Sequence, residues 1–284
     1  MNPTKQEMTD IIEKHVKECS LNNFAVIGEP DEPVWEGVAV GFSRGDDPYY
    51  DFLKKDIGDF HWSPAEVFRL GKGVDVNQKD ILVISIGLQT TKKTKELNGM
   101  ATDEPTLRWV AARGEWENLI QDINGKIIRD MEEKGVQAVS LEHVKEFERK
   151  KSEKYGAAST WSHRHAAFAS GLGTFGLCDG LITKKGKAMR FTTIFLESNI
   201  EADARQYEKY NEWCKFTKDG GCGVCIKRCP VGAVTKDGHH KDKCEKFVLH
   251  MRDKALSAGT LTSKTATGCG MCQCGTPCQD GVPM

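Results

Sequence analysis

The sequence contains no apolar run near the roughly 18 residues that a membrane-spanning helix requires. Its clearest apolar stretch, DILVISIGL (Asp80–Leu88), is far shorter. The opening segment MNPTKQEMTDIIEKHVKECS has neither an apolar signal core nor a twin arginine, so a cytoplasmic protein with no membrane contact is expected. Charge of one sign is also lacking. The formal net charge is −1, which excludes the basic excess that marks most nucleic-acid binders. Cysteine is nearly absent from the first 213 residues, where only Cys19 and Cys178 occur. No internal repeat is evident in that part. What remains, with 284 residues of which 39% are hydrophobic and 29% charged, is an ordinary globular composition, long enough for one large or two modest domains.

Punctuation by Gly and Pro divides the first part into short elements. The N-terminal segment reads as an amphipathic helix with Ile11, Ile12, His15 and Val16 on one side. NFAVIGEP and WEGVAVGFSR read as strands. SPAEVFRLGKGV reads as a helix start, with Ser63 as cap and Pro64 in the first position. DILVISIGL reads as a strand buried on both faces. Helices are expected over residues 104–110 and 115–134. The second carries Trp116, Leu119, Ile120, Ile123, Ile127 and Met131 at helical spacing and stops at Gly135. VQAVSLEHV suggests a strand turning into a helix, and EHVKEFERKKSEK a charged exposed helix or linker. RHAAFASGLG reads as a helix entering a glycine loop, and RFTTIFLES as a β-branched strand. Strands alternating with helices define an α/β or α+β domain over residues 1–205.

The composition changes near residue 205. Nine cysteines fall between Cys214 and Cys278, which in a cytosolic chain suggests metal ligation more than disulfides. Cys222-x2-Cys225-x3-Cys229-Pro230 keeps the last three positions of the bacterial ferredoxin run, in which the fourth cysteine serves the second four-iron cluster. Asp219 stands at the first position, and Cys214 upstream can supply the missing thiolate. Cys269-x2-Cys272 repeats the loop, with Gly268 and Gly270 flanking it as Gly221 and Gly223 flank the first. Such glycines let backbone N–H groups approach a negative cluster. Two four-iron clusters need eight thiolates. The expected assignment is Cys214, Cys222, Cys225 and Cys278 for cluster one and Cys229, Cys244, Cys269 and Cys272 for cluster two, making residues 206–284 a ferredoxin-like domain. Cys274 in place of Cys278 is the open alternative. Structural zinc on C-x2-C pairs is the competing reading. Cys19 and Cys178 read as plain buried thiols, and His239 and His240 as solvent-exposed.

The segment HAAFASGLGTFGLCDGLITKKGKAMRFTTIFLES, followed by these cysteine groups, resembles the epoxyqueuosine reductases and the related reductive dehalogenases. The likeness is carried by Gly171, Leu172, Gly173, Gly176, Gly186, Met189 and Arg190 and is loose over residues 1–158. It implies a cobalamin on the N-terminal, corrinoid-type domain beside one cluster, with Gly171, Gly173, Gly176, Met189 and Arg190 as corrinoid-binding residues. It further implies a reduced ferredoxin or flavodoxin-type electron donor and reduction of a small substrate. The sequence departs from that pattern in three ways. YGAASTWSHRH contains no carboxylate where the family places its aspartate acid, His163 stands where the family has a glutamate, and the helical repeats that help hold tRNA do not follow. A tRNA substrate is therefore not expected.

His163 is the candidate proton donor, since histidine titrates near neutrality. Arg164 could pair with an anionic tail. Trp161 and Trp213 could line a cofactor pocket, although core packing is the commoner use. Gly171-x-Gly173-x-x-Gly176 also matches the dinucleotide fingerprint, but that motif requires a preceding strand. His15, His61, His143 and His250 read as structural, and TKKTKE and TKKGKAMR as solvated faces. The function expected is an iron–sulfur reductase using a corrinoid. The alternative is a non-catalytic electron-transfer or corrinoid-handling protein that serves another enzyme.

Overall fold

The computed structural model describes residues 3–259 and 268–284. Its centre is a four-stranded antiparallel sheet in the order β1-β2-β8-β3. These strands are β1 (Trp35–Arg44), β2 (Ile81–Thr90), β3 (Ala138–Ser140) and β8 (Met189–Glu197). Side chains alternate along a strand, and here both faces are covered. Leu82, Ile84, Ile86 and Leu88 of β2, with Ile194 and Leu196 of β8, pack on α1 (Lys5–Glu18) and α6 (Trp116–Glu133). Ile81, Val83 and Phe195 point the other way, against α2 (Pro48–Ile57), α3 (Pro64–Lys72) and α7 (His163–Ala169). The unbroken burial of Ile81–Leu88 follows from this three-layer arrangement.

The expected caps are in place. Ser63 accepts from the Glu66 N–H, Glu66 reaches back to the Ser63 N–H, and Pro64 opens α3. The six apolar residues assigned to one face of α6 are all buried, and Gly135 follows with φ 78°. The remaining helices of this lobe are α4 (Lys92–Met100) and α5 (Leu107–Gly114), which begins three residues later than residues 104–110 suggested.

Two elements differ from expectation. NFAVIGEP forms a short 3-10 turn, Ala25–Ile27, rather than a strand. The Asn23 side chain accepts from the Ala25 N–H, and Gly28 closes the turn at φ 81°. Local side-chain bonds of this kind compete with strand pairing. EHVKEFERKKSEK enters a hairpin, β4 (Arg149–Ser152) with β5 (Gly156–Ser159). From Lys145 on its charges face water, whereas Glu142 turns inward; Ser152 is buried and donates to the Ile57 carbonyl at 2.6 Å, which anchors the hairpin to α2. A second hairpin pairs β6 (Gly173–Phe175) with β7 (Leu181–Thr183). The cysteine-rich part holds α8 (Lys215–Asp219), α9 (Val224–Lys227), α10 (Lys241–Ser257) and a two-residue ladder of β9 (Val234–Thr235) with β10 (Gly238–His239). Among the described residues no helix is long and apolar enough to cross a membrane.

His61 is 1% exposed and stacks on Trp161 with ring centroids 5.7 Å apart. Burial pushes its imidazole down from 6.5 to about 4. The unfolded chain therefore binds one proton more between those values, so this contribution to stability is lost as pH falls from about 6.5 to 4. The shift corresponds to roughly 3 kcal/mol. Urea unfolding followed across that window should show a flatter pH dependence in His61→Gln than in the parent; an unchanged slope would place the acid sensitivity elsewhere.

Candidate functional site

Strand β8 pairs with β2 from Met189 to Glu197, but β3 meets only Ile194–Leu196 on the other side. The outer edge of residues 190–193 is therefore open to side chains rather than covered by a strand. Into that opening come Asn124 from α6, Glu142 from the 3-10 turn after β3, and His163 at the start of α7. The Asn124 amide donates to Glu142 and to Thr192 Oγ1, both at 2.8 Å, and Thr192 donates to the second Glu142 oxygen at 2.6 Å. His163 Nε2 stands 3.8 Å from Glu142 Oε1, and its Nδ1 is 2.9 Å from Thr193 Oγ1. Thr193 already accepts from the Trp161 indole at 3.3 Å, so its hydroxyl proton is free for Nδ1. That leaves the His163 proton on Nε2, facing Glu142.

Electrostatics divides the pair. Burial, first, and the Arg190 charge push His163 down to about 4, so it is neutral at pH 7. Burial raises Glu142 above the usual carboxylate range against the opposing hydrogen bonds from Thr192 and Asn124. Nearby, the Arg190 guanidinium lies 5.1 Å from the Trp116 ring centroid. Arg190 Nε, Arg113 Nη1 and Asn124 Oδ1 are buried without a hydrogen-bond partner in the described structure. Buried polar atoms are normally satisfied, so a polar ligand edge fits here.

The glycine segment follows a helix, α7, as expected, so the strand that a dinucleotide fingerprint requires before it is missing. Gly171 ends α7 at φ 78°. A Cβ on Gly173 would lie 2.0 Å from the Ile182 carbonyl oxygen, and one on Gly176 would lie 3.3 Å from Ile182 Cδ1. The close approaches at Gly173 and Gly176 are thus to the chain's own strand β7. Met189 is buried, with its sulfur accepting from Thr183 at 3.1 Å. Arg164 donates to the Asp179 carbonyl. Trp161 belongs to the core and Trp213 packs edge-on against Tyr207.

The cysteines gather in two places. Cys214, Cys222, Cys225 and Cys278 line one cavity, together with Gly223 and Lys187. Gly223 turns there at φ 120°. Cys269 lies near Cys244 and Cys229, and Cys272 near Cys269. The Ala233 N–H donates to Cys229 Sγ at 3.1 Å. Burial pushes the Cys269 thiol up to about 12, and the neighbouring thiols push it the same way. Such dry, crowded sulfurs become thiolates only with cationic metal among them. Among the described residues no three His, Cys, Asp or Glu side chains stand close enough for a single metal ion. Cys274 is fully buried, beside Asn98, Arg228 and Lys187, and does not line that cavity.

Cys178, expected as a plain thiol, lies within reach of both Cys225 and Cys272 and donates to the Cys272 carbonyl at 3.7 Å. His239 is not exposed either; its Nδ1 is 3.0 Å from Asp179 Oδ2 and it reaches Cys244. The second cysteine loop is fixed to the larger lobe. Arg228 donates to the carbonyls of Met271 and Cys274 at 3.3 and 3.2 Å, and to those of Ala101 and Asn98 at 2.8 Å each. Trp109 of α5 packs against Gly270, and Arg113 of the same helix against Gly268. One helix thus joins the Arg190 site to the loop of Cys269 and Cys272. Arg228→Ala should cost about 3 kcal/mol, with little rescue by Lys, because charged bonds to four carbonyls need the guanidinium fork; equal denaturation midpoints for the three proteins would refute this.

No protein-family model matches the sequence, and no curated protein matches it. The fold itself is shared with solved epoxyqueuosine reductases. The enzyme from Bacillus subtilis superposes with a TM-score of 0.50 at 13% identity, over 98% of this chain and 67% of that one. A selenomethionine-labelled epoxyqueuosine reductase gives 0.50 at 15% identity, with the same coverage of each chain. A catabolic reductive dehalogenase gives 0.48 at 14% identity, over 98% of this chain and 37% of that one. At these identities the shared property is the fold, and the sequence resemblance drawn from the glycine segment and cysteine groups agrees with it.

Glu142, Asn124, Arg113, Cys178 and Lys187 escaped sequence reading. Only the cysteine could have signalled itself, by its place just after the glycine segment; the others lack any motif.

Proposed function

We propose that the chain is an iron–sulfur reductase of the epoxyqueuosine reductase type, holding two four-iron clusters and a corrinoid and reducing a small substrate. The observation that supports this reading is the gathering of the cysteines: Cys214, Cys222, Cys225 and Cys278 line a single cavity, Cys229, Cys244 and Cys269 neighbour one another, and Cys272 stands between Cys269 and Cys178. A cubane is larger than one ion and takes its thiolates from around its surface, which suits sulfurs spread over a cavity wall. Cys214, Cys222, Cys225 and Cys278 would hold cluster one; Cys229, Cys244, Cys269 and Cys272 would hold cluster two, with the Ala233 N–H supporting Cys229. The corrinoid would lie along the open edge of β8, where Arg190, Arg113 and Asn124 have polar atoms to offer its amide-bearing rim. When bound, clusters and corrinoid would supply the electron-transfer chemistry.

The protein's own part is to position and to protonate. Glu142 would hold a proton at Oε1 or Oε2, its affinity raised by burial. His163 would stay neutral and keep its Nε2 proton toward that carboxyl. A buried carboxyl group whose proton affinity is raised can serve as a general acid, and Glu142 would stand in for the acid absent from residues 155–165. The buried walls of β8 and α7 would exclude water. A reduced ferredoxin or flavodoxin-type donor would load the clusters.

Anaerobically prepared protein should show a broad iron–sulfur absorption band, about eight irons per chain and a saturable cobalamin titration that Arg190→Ala weakens. Zinc without iron would end the proposal. Cluster reduction with no corrinoid uptake would instead favour an electron carrier serving another enzyme.

A further inference from the structure

Lysine is almost never fully buried unless its charge is paired. Lys95 obeys the rule, with its buried ammonium 2.6 Å from Asp280. Lys187 is 2% exposed, yet no carboxylate pairs with it in the described structure. Its ammonium instead faces the sulfurs of Cys178, Cys278, Cys272 and Cys225. Its side chain lines the cavity of the first cysteine set. Its backbone is committed to the same place, because the Lys187 N–H donates to the carbonyls of Cys278 and Gln279 at 2.9 and 3.2 Å. Gly186 makes that approach possible; with φ 90°, a Cβ there would meet the Gln279 oxygen at 2.0 Å. Lys187 also covers Gly180, whose Cβ would stand 2.8 Å from the lysine Cγ. The turn between β7 and β8 of the larger lobe thus inserts one cation among sulfurs of the smaller.

We propose that Lys187 is the fixed counter-charge of the cluster held by Cys214, Cys222, Cys225 and Cys278, and that it raises that cluster's reduction potential. The inference rests on the cluster reading above. A cluster bound by four thiolates is anionic, and reduction adds one more negative charge. A desolvated ammonium a short distance away stabilises the reduced form more than the oxidised one, and net charge near the cluster is a known lever on its potential. Lys187 acts here as a positioning and tuning residue and carries no electron itself.

The test is an anaerobic redox titration of the holo-protein, followed by electron paramagnetic resonance, on the parent, Lys187→Met and Lys187→Arg, each first assayed for iron. Lys187→Met should make one of the two couples at least tenfold harder to reduce, a fall of 59 mV for one electron, and Lys187→Arg should restore most of it. Loss of iron from the methionine variant alone, with the arginine variant fully loaded, would also support a charge role. Full iron with unmoved couples in Lys187→Met would overturn the inference. So would equal shifts, or equal iron loss, in both variants, since shape rather than charge would then be at work. A parent protein that takes up no iron would overturn the cluster reading itself, and the iron assay shows this before any potential is measured.

Discussion

Cys278→Ala is expected to cut iron from about eight to about four per chain, while Cys274→Ala leaves it at about eight. Spacing alone leaves these two cysteines interchangeable, since both follow Cys272 within one short loop. Their surroundings separate them. Cys278 faces the cavity shared with Cys214, Cys222 and Cys225. Cys274 is enclosed beside Asn98 and Arg228, and burial pushes its thiol up to about 12. A fully buried sulfur outside the cavity serves as a packing group. The backbone bonds from Lys187 to the carbonyls of Cys278 and Gln279 hold the ligand side of the loop in place. Iron quantitation with the absorption spectrum checks both variants. Loss of iron in Cys274→Ala, with Cys278→Ala intact, would reverse the assignment.

Gly173→Ala is expected to destabilise the protein by about 3 kcal/mol or more, with or without any cofactor, which is large against the 5–15 kcal/mol that stabilises a typical domain. The added carbon would lie 2.0 Å from the Ile182 carbonyl oxygen and 2.8 Å from its carbon, both backbone atoms of β7. No rotamer change relieves a clash between main chains; the β6–β7 hairpin would have to open. That hairpin carries Cys178 at its turn, and the segment after it carries Lys187, so the damage would reach the cysteine cavity. Chemical denaturation of the cofactor-free protein is the deciding measurement. An unaltered midpoint there, with corrinoid uptake lost, would mean that the glycine serves a ligand and not the hairpin.

The cysteine-rich segment stands out in the sequence as a candidate metal site because its signal is local. C-x2-C-x3-C-P fixes the chemistry of residues a few positions apart, and the second C-x2-C repeats it. The helices α1, α3 and α6 were readable for a similar reason, since cap and apolar period are properties of one turn or a few. The NFAVIGEP turn and the β4–β5 hairpin were misread where side-chain bonds and a distant anchor, the Ile57 carbonyl, outweighed propensity. TKKGKAMR is the clearest failure. Its basic residues suggest a solvated face, which Lys184 and Lys185 bear out, yet Lys187 beside them is buried.

By itself the amino-acid order determined which thiols are present, their spacing within each loop, and the helices and strands with strong periodicity. Only the tertiary structure decided that Glu142 meets His163 across the open edge of β8, that Cys178 stands between two cysteine sets, and that Lys187 is turned inward. Those pairings join residues from 9 to 94 positions apart in the chain. They depend on how distant segments pack together, because burial and mutual charge exist only once those segments have excluded the water between them.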